Sequence, residues 1–251
     1  MNFVNPPAKS PQFVSHRTFY SQILNHEIGY NIYLPPGYED CVEKYPVAYH
    51  IHGWRGNESS EIWPLENVYK NRRAITVFAN AISSEDNYLD ALLQIESIII
   101  KELIPHIDGH YKADTARENR MLSGFSMGGN MAFYYAVKYP DLFSSVTPYA
   151  GTYHHLYHEG CNTVGAAPEK AAELYNDMMR EKRYLEENNI LCLVRQNAEK
   201  IRGKLKIDIH IGTTDMLFCD NEILHLYLDS LNIPHEYRKF EKVGHDLEKI
   251  L

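Results

Sequence analysis

Short runs of β-branched and aromatic residues alternate with longer apolar stretches along this chain. The runs Ile28 to Leu34, Val47 to Ile51, Ile75 to Ala79, Arg120 to Ser123, Ser145 to Tyr149 and Leu205 to Ile211 predict strands. Between them, the spacing predicts helices over Ala91 to His106, Asn130 to Tyr139 and Asn221 to Leu231, the first two ending near Pro105 and Pro140. The segment Met131 to Val137 is apolar all round, which suits a helix packed centrally against a sheet. Alternation of this kind predicts an α/β fold with a mostly parallel central sheet flanked by helices.

The rhythm breaks between Thr152 and Lys204, where the chain turns polar and rich in His, Tyr, Glu and Asn, with helix-like sequence from Pro168 to Arg183. Residues 152–204 are therefore expected to form a cap-like helical insertion over the carboxyl edge of the sheet, above the active site. No repeat or low-complexity tract interrupts the chain, and 251 residues with 44% hydrophobic content can bury one substantial core. A single domain over residues 1–251 is expected.

A formal net charge of −8 argues against a protein built to neutralise nucleic-acid phosphates or to sit on anionic lipid, so neither nucleic acid nor membrane is an expected partner. The opening Met1-Asn2-Phe3-Val4-Asn5-Pro6-Pro7 lacks a basic and then apolar leader, and the greasy stretch around Ile98 to Ile100 is too short to cross a bilayer. A cytoplasmic protein is expected. Cys41, Cys161, Cys192 and Cys219 form no CxxC pair, so buried thiols are expected, with no zinc or redox motif.

The candidate chemistry begins at Gly124-Phe125-Ser126-Met127-Gly128. Serine is a poor nucleophile at neutral pH, so an enzyme must expose its hydroxyl and set a base beside it. A sharp strand-to-helix turn achieves the exposure, and small residues two before and two after the serine let neighbouring backbone pass close. The pentapeptide alone is common, but here it follows a strand-like run and precedes an apolar helix.

In a fold of this kind the acid and then the histidine follow the serine, on loops at the carboxyl ends of later strands. His245 stands out because Val243-Gly244-His245-Asp246 follows the strand-like His235 to Phe240. His154, His155 and His158 lie in the polar stretch ahead of any acid strand, and no carboxylate or cysteine at ligand spacing makes them a metal site. For the acid, Asp215 in Gly212-Thr213-Thr214-Asp215 directly follows a strand, whereas its rival Asp220 is expected to cap a helix. Asp208 falls within a strand, and Asp246 adjoins the histidine too closely to reach the far ring nitrogen.

Acyl transfer needs backbone N–H donors where the tetrahedral oxygen becomes negative. The amide of Met127 is one expected donor; the other is the amide of Trp54, in the glycine-bracketed turn His52-Gly53-Trp54-Arg55-Gly56 after an early strand. No organic cofactor and no metal is required by this chemistry.

Taken together, Tyr30 to Tyr38, Tyr45-Pro46-Val47 leading to His52-Gly53, Gly124 to Gly129, Tyr139-Pro140-Asp141-Leu142-Phe143 and Gly212 to Asn221 ending in Gly244-His245-Asp246 resemble the putative-esterase family of α/β-hydrolases. That family includes esterase D-type enzymes, feruloyl esterases and acetylxylan esterases. The resemblance implies an α/β-hydrolase fold, a Ser126, Asp215 and His245 triad, and oxyanion donors at Trp54 and Met127. One departure is Val243-Gly244, where many relatives have two glycines. The resemblance further implies a serine carboxylesterase acting through an acyl-enzyme on a small-molecule or oligosaccharide ester. Feruloyl or acetyl esters of carbohydrate come first, S-formylglutathione or a siderophore ester next, and acyl transfer to an alcohol is a separate class. Tyr153, His154, His155, Tyr157 and His158 are expected to supply aromatic and hydrogen-bonding surface above Ser126.

Overall fold

The computed structural model describes residues 2–81, 94–153, 165–180 and 190–251. The chain divides into two compact parts, residues 1–122 and 123–251.

The first part carries β1 (Val14–Ser21), β2 (His26–Tyr33), β3 (Val47–Ile51) and β4 (Ile75–Ala79), in the spatial order β1-β2-β4-β3. β1 pairs antiparallel with β2 and β2 antiparallel with β4, whereas β3 and β4 run parallel. Every residue of β3 and β4 is buried, which is why each reads as an apolar run broken only by His50 and Thr76: both faces of the strand are covered. β1 eluded the pattern because it lies at the edge of the sheet, with exposed Arg17, Thr18 and Tyr20 among inward Val14, Phe19 and Ser21. The short α1 (Glu66–Lys70) precedes β4.

A helical stretch at 94–98 runs through a π-helical turn at Ile99–Leu103 into α2 (Ile104–His110). The helix expected to end near Pro105 therefore continues past it. Proline has no N–H to return to the carbonyl four residues earlier, and the wider turn falls just where that bond is lost, so the helix absorbs the proline instead of stopping. Residues 91–93 lie outside the described residues.

The boundary between the parts falls within β5 (Arg120–Phe125). The second part adds α3 (Met127–Lys138), β6 (Ser145–Tyr149), α4 (Ala171–Arg180), α5 (Ile190–Gln196), α6 (Ala198–Ile201), β7 (Lys206–Gly212), α7 (Phe218–Ser230) and β8 (Glu236–Phe240). Its strands follow the order β5-β6-β7-β8, with β6–β7 and β7–β8 parallel. α3 buries Met131, Phe133, Tyr135 and Val137 among others, so its all-round apolar sequence reflects a helix enclosed on every side.

The polar stretch 152–204 is only partly described. Its later portion contributes to the core, where Ile190, Leu191, Val194 and Ile201 are fully buried. Tyr227 on α7 donates its hydroxyl to the Leu191 carbonyl at 3.0 Å, and the Asn197 amide donates to the Val137 carbonyl at the end of α3 at 3.1 Å. Of the thiols, Cys219 is buried, Cys41 and Cys192 are half-buried, and Cys161 lies outside the described residues. Among the described residues, no helix is long and apolar enough to cross a membrane.

Candidate active site

Ser126 sits between the last residue of β5 and the first of α3, with φ 55° and ψ −116°. A side chain rarely adopts that backbone conformation, and holding one there costs on the order of 1–3 kcal/mol. Three backbone hydrogen bonds impose it. The Ser126 N–H donates to the Tyr149 carbonyl at 2.8 Å, while the Ser126 carbonyl accepts from Asn130 at 3.1 Å and from Thr152 at 3.2 Å. β6 and the chain just beyond it thus clamp the turn from one side and the first turn of α3 from the other. Although Ser126 occupies the N-cap position of α3, its hydroxyl makes no capping bond, so Oγ is not consumed in holding the helix.

The turn is closed so tightly that Gly124 has no room for a side chain. A Cβ at that position would stand 2.2 Å from the carbonyl oxygen of Gly128. α3 begins at Met127, three residues earlier than the sequence pattern indicates, because Gly128 and Gly129 hide the helix start from any propensity argument. Met127 is buried, and its amide is among the first N–H groups of the helix, where no intrahelical carbonyl is within reach and the helix dipole favours negative charge.

The acid and histidine predicted from sequence meet. His245 Nδ1 lies 2.8 Å from Asp215 Oδ2, and Asp215 is buried while the imidazole is partly open to solvent. A carboxylate only accepts, so Nδ1 carries the proton and Nε2 carries the lone pair. Asp215 is itself oriented by the Leu217 N–H, which donates to Oδ1 at 2.8 Å. The ring of Phe125, the residue before Ser126, stacks on the imidazole with centroids 4.6 Å apart and planes 26° apart. The residue that precedes Ser126 in the turn therefore also fixes the plane of the histidine.

The loop bearing His245 is tied to the end of β7. Val243 accepts from the Thr214 N–H at 3.0 Å, the Lys242 N–H donates to the Thr213 hydroxyl at 2.8 Å, and a Cβ on Gly212 would stand 2.1 Å from the Val243 carbonyl oxygen. Beyond the loop, buried Leu247 and Ile250 anchor the chain, and His210 Nδ1–H donates to the Ile250 carbonyl at 2.5 Å. The single glycine before His245 is thus sufficient, because the close approach is made by Gly212.

In the first part, the turn expected to hold an oxyanion donor is built around buried polar groups. Glu61 accepts from the Gly53 N–H at 2.9 Å with one oxygen and pairs with His50 Nε2 through the other. His52 donates Nδ1–H to the Gly53 carbonyl at 2.8 Å and accepts from the Ala81 N–H at 2.9 Å, so its tautomer is fixed. Burial holds the His52 pKa below the ordinary histidine value. Arg55 follows at φ 63°, its guanidinium 4.7 Å above the exposed Trp54 ring. Sequence reasoning missed Glu61 because nothing local separates a buried carboxylate from a solvated one; its only trace was its place a few residues after the glycine turn.

Two expectations are corrected. Asp220 is not a cap: it lies within the first turn of α7, fully buried, and accepts the Tyr153 N–H at 3.0 Å. Tyr153 is likewise fully buried, edge-on to Phe133 with centroids 6.0 Å apart, and desolvation drives its pKa far up. It packs the interior and offers no substrate surface. His154, His155, Tyr157 and His158 lie outside the described residues. Beside the acid, Met216 is half-exposed, and its carbonyl accepts the Gly165 N–H at 2.7 Å.

A family profile described as "Putative esterase" matches residues 21–248 of the chain. An endo-1,4-beta-xylanase/feruloyl esterase of Xylanibacter ruminicola is 30% identical over 167 residues, covering 55% of this chain and 23% of that protein. The chain spans less than a third of the length of the curated relatives it matches. Among solved structures, a ferulic acid esterase aligns with a TM-score of 0.71 at 22% identity, covering 94% of this chain and 92% of that one. An S-formylglutathione hydrolase of Staphylococcus aureus aligns with a TM-score of 0.68 at 15% identity, covering 93% and 92%. At these identities the structural likeness establishes a common α/β-hydrolase fold.

Proposed function

Because this chain belongs to the putative esterase family, we propose that it is a serine carboxylesterase in which Ser126, Asp215 and His245 form the catalytic triad. The observation that carries this reading is the buried Asp215 carboxylate 2.8 Å from His245 Nδ1, with that imidazole stacked on the residue next to a serine held at φ 55°.

Asp215 keeps the Nε2 lone pair available and stabilises the imidazolium that forms when Nε2 takes the proton of Ser126 Oγ. The alkoxide attacks the ester carbonyl, and the tetrahedral oxygen takes hydrogen bonds from the Met127 amide and, as the family resemblance implies, from the Trp54 amide. His245 then returns the proton to the leaving alcohol; a water deprotonated by the same histidine attacks the acyl carbon, the bond to Ser126 Oγ breaks, and His245 returns the proton to Oγ as the acid leaves.

The ester we favour is a feruloyl or acetyl ester of carbohydrate. Support comes from the xylanase/feruloyl esterase relative, whose similarity reaches 30%, whereas the S-formylglutathione hydrolase shares the fold at 15% identity. The exposed Met216, next to Asp215 in the chain, offers apolar surface suited to a flat phenolic acyl group. Relative kcat/KM on methyl ferulate, acetylated xylo-oligosaccharides and S-formylglutathione tests the order, and preference for the thioester overturns it. Ser126→Ala should lower turnover of every ester by several orders of magnitude with the fold intact by circular dichroism. Retention of a tenth of the wild-type rate would sink the mechanism.

A further inference from the structure

We propose that His225, Asp229 and His235 form a site for one divalent transition-metal ion, best suited to Zn2+, on the surface where α7 meets the entry to β8. One ligand atom from each of the three lies within 4.8 Å of the others. Two atoms bound to one zinc ion at about 2.0–2.1 Å stand roughly 3–4 Å apart, so side-chain rotations of modest size close the site.

The sequence brings these residues together through a tight return. His225 and Asp229 are four residues apart on α7 and so share one face of the helix, with Asp229 Oδ2 3.5 Å from His225 Nε2. The helix ends at Ser230, the Ile233 N–H bonds the Leu228 carbonyl at 3.0 Å, and Asn232 takes a left-handed conformation at φ 51°. That reversal, followed by Pro234, lays His235 back against His225, with His225 Nδ1 2.8 Å from His235 Nε2.

Two features mark the pair as more than a chance meeting of histidines. His235 Nδ1 donates to the Ile233 carbonyl at 2.9 Å, which leaves the lone pair on Nε2; His225 Nδ1–H donates to it across 2.8 Å, and an ion bound between the rings takes the place of that proton. An imidazole oriented by a backbone carbonyl on its far nitrogen is the usual outer-shell arrangement of a metal-binding histidine. The His225 ring is also held in plane, stacked on Tyr237 with centroids 4.4 Å apart, while the Tyr237 hydroxyl donates to Glu222 at 2.8 Å. The donor set of two imidazoles and one carboxylate suits Zn2+, Ni2+ or Cu2+ and not the oxygen-seeking Ca2+ or Mg2+. Asp229 is exposed, so solvent completes the coordination shell.

The site is separate from ester hydrolysis. α7 begins shortly after Asp215 and β8 ends shortly before His245, so an ion joining them staples the two elements that carry the acid and the base. Its expected effect is on stability.

The test uses the whole protein, dialysed against chelator and then titrated with Zn2+ by calorimetry and thermal melting. One ion should bind per chain, and the Tm should rise by roughly 5 °C at a hundredfold excess over Kd. Asp229→Asn and His235→Gln, both at solvent-accessible positions, should each weaken binding at least tenfold. With Cu2+, the electron paramagnetic resonance spectrum should show coupling to two nitrogens in the wild type and to one in His235→Gln. Unchanged Zn2+ affinity in the Asp229→Asn/His235→Gln double variant, or no Zn2+ binding to the wild type at millimolar concentration, overturns the proposal. Hydrolysis of an aryl ester at 25 °C should be unchanged by chelator.

Discussion

Replacing Gly124 with alanine adds one methyl group at the tightest point of the turn that bears Ser126. The new Cβ would lie 2.2 Å from the Gly128 carbonyl oxygen and 2.3 Å from its carbonyl carbon. Contacts of that kind are not tolerated below about 3 Å, so β5 and the first turn of α3 must separate by roughly 1 Å. Neither side can yield without cost, because Ser126 lies between them and is clamped by backbone bonds to Tyr149 and Thr152. The overpacking should destabilise the protein by about 1–3 kcal/mol, which for a chain of this size lowers the Tm by roughly 2–12 °C. The larger effect falls on chemistry, since a displacement near 1 Å at a reacting atom costs on the order of a hundredfold in rate. Steady-state hydrolysis of an aryl acetate well below the Tm, with a melt on the same sample, separates the two effects. A folded Gly124→Ala enzyme with kcat/KM within threefold of wild type would refute the view that close passage of Gly128 holds the serine in place.

Asp215→Asn should leave the Leu217 N–H bond in place but turn an N–H toward His245 Nδ1, favouring the tautomer with no lone pair on Nε2. A fall in kcat of about 10⁴ is expected from comparable triads, whereas Asp220→Asn should cost stability and little activity; the reverse ranking would reassign the acid. The buried His52, its pKa lowered by desolvation, is neutral when folded and free to protonate when unfolded. Its contribution to stability is full above the ordinary histidine pKa near 6.5 and declines as the pH falls through that value, with a slope of up to about 1.4 kcal/mol per pH unit. Urea melts at pH 7.5 to 5.5 should show a shallower decline in His52→Asn than in wild type, and equal slopes would exclude His52 as the source.

The strands Val47 to Ile51, Ile75 to Ala79 and Ser145 to Tyr149 were legible to the residue, because β-branched, aromatic and small apolar residues dominate such short runs. The candidate site was legible for a different reason. Chain order and the residue types demanded by acyl transfer leave few positions after Ser126 that can serve, and Asp215 and His245 were among them. β1 was not legible, since an edge strand keeps polar residues on its open side, and neither was the continuation of the helix through Pro105.

What the sequence by itself determined is the periodicity of the elements and the inventory of reactive groups, because both depend on neighbours a few residues apart. Only the tertiary structure decided that Asp220 accepts the Tyr153 N–H, that Tyr153 turns inward, that Glu61 holds the turn before Trp54, and that His225 meets His235. Each of these depends on which distant segment fills the space beside a side chain. Burial, partner and protonation state are properties of that space, and a linear pattern does not contain them.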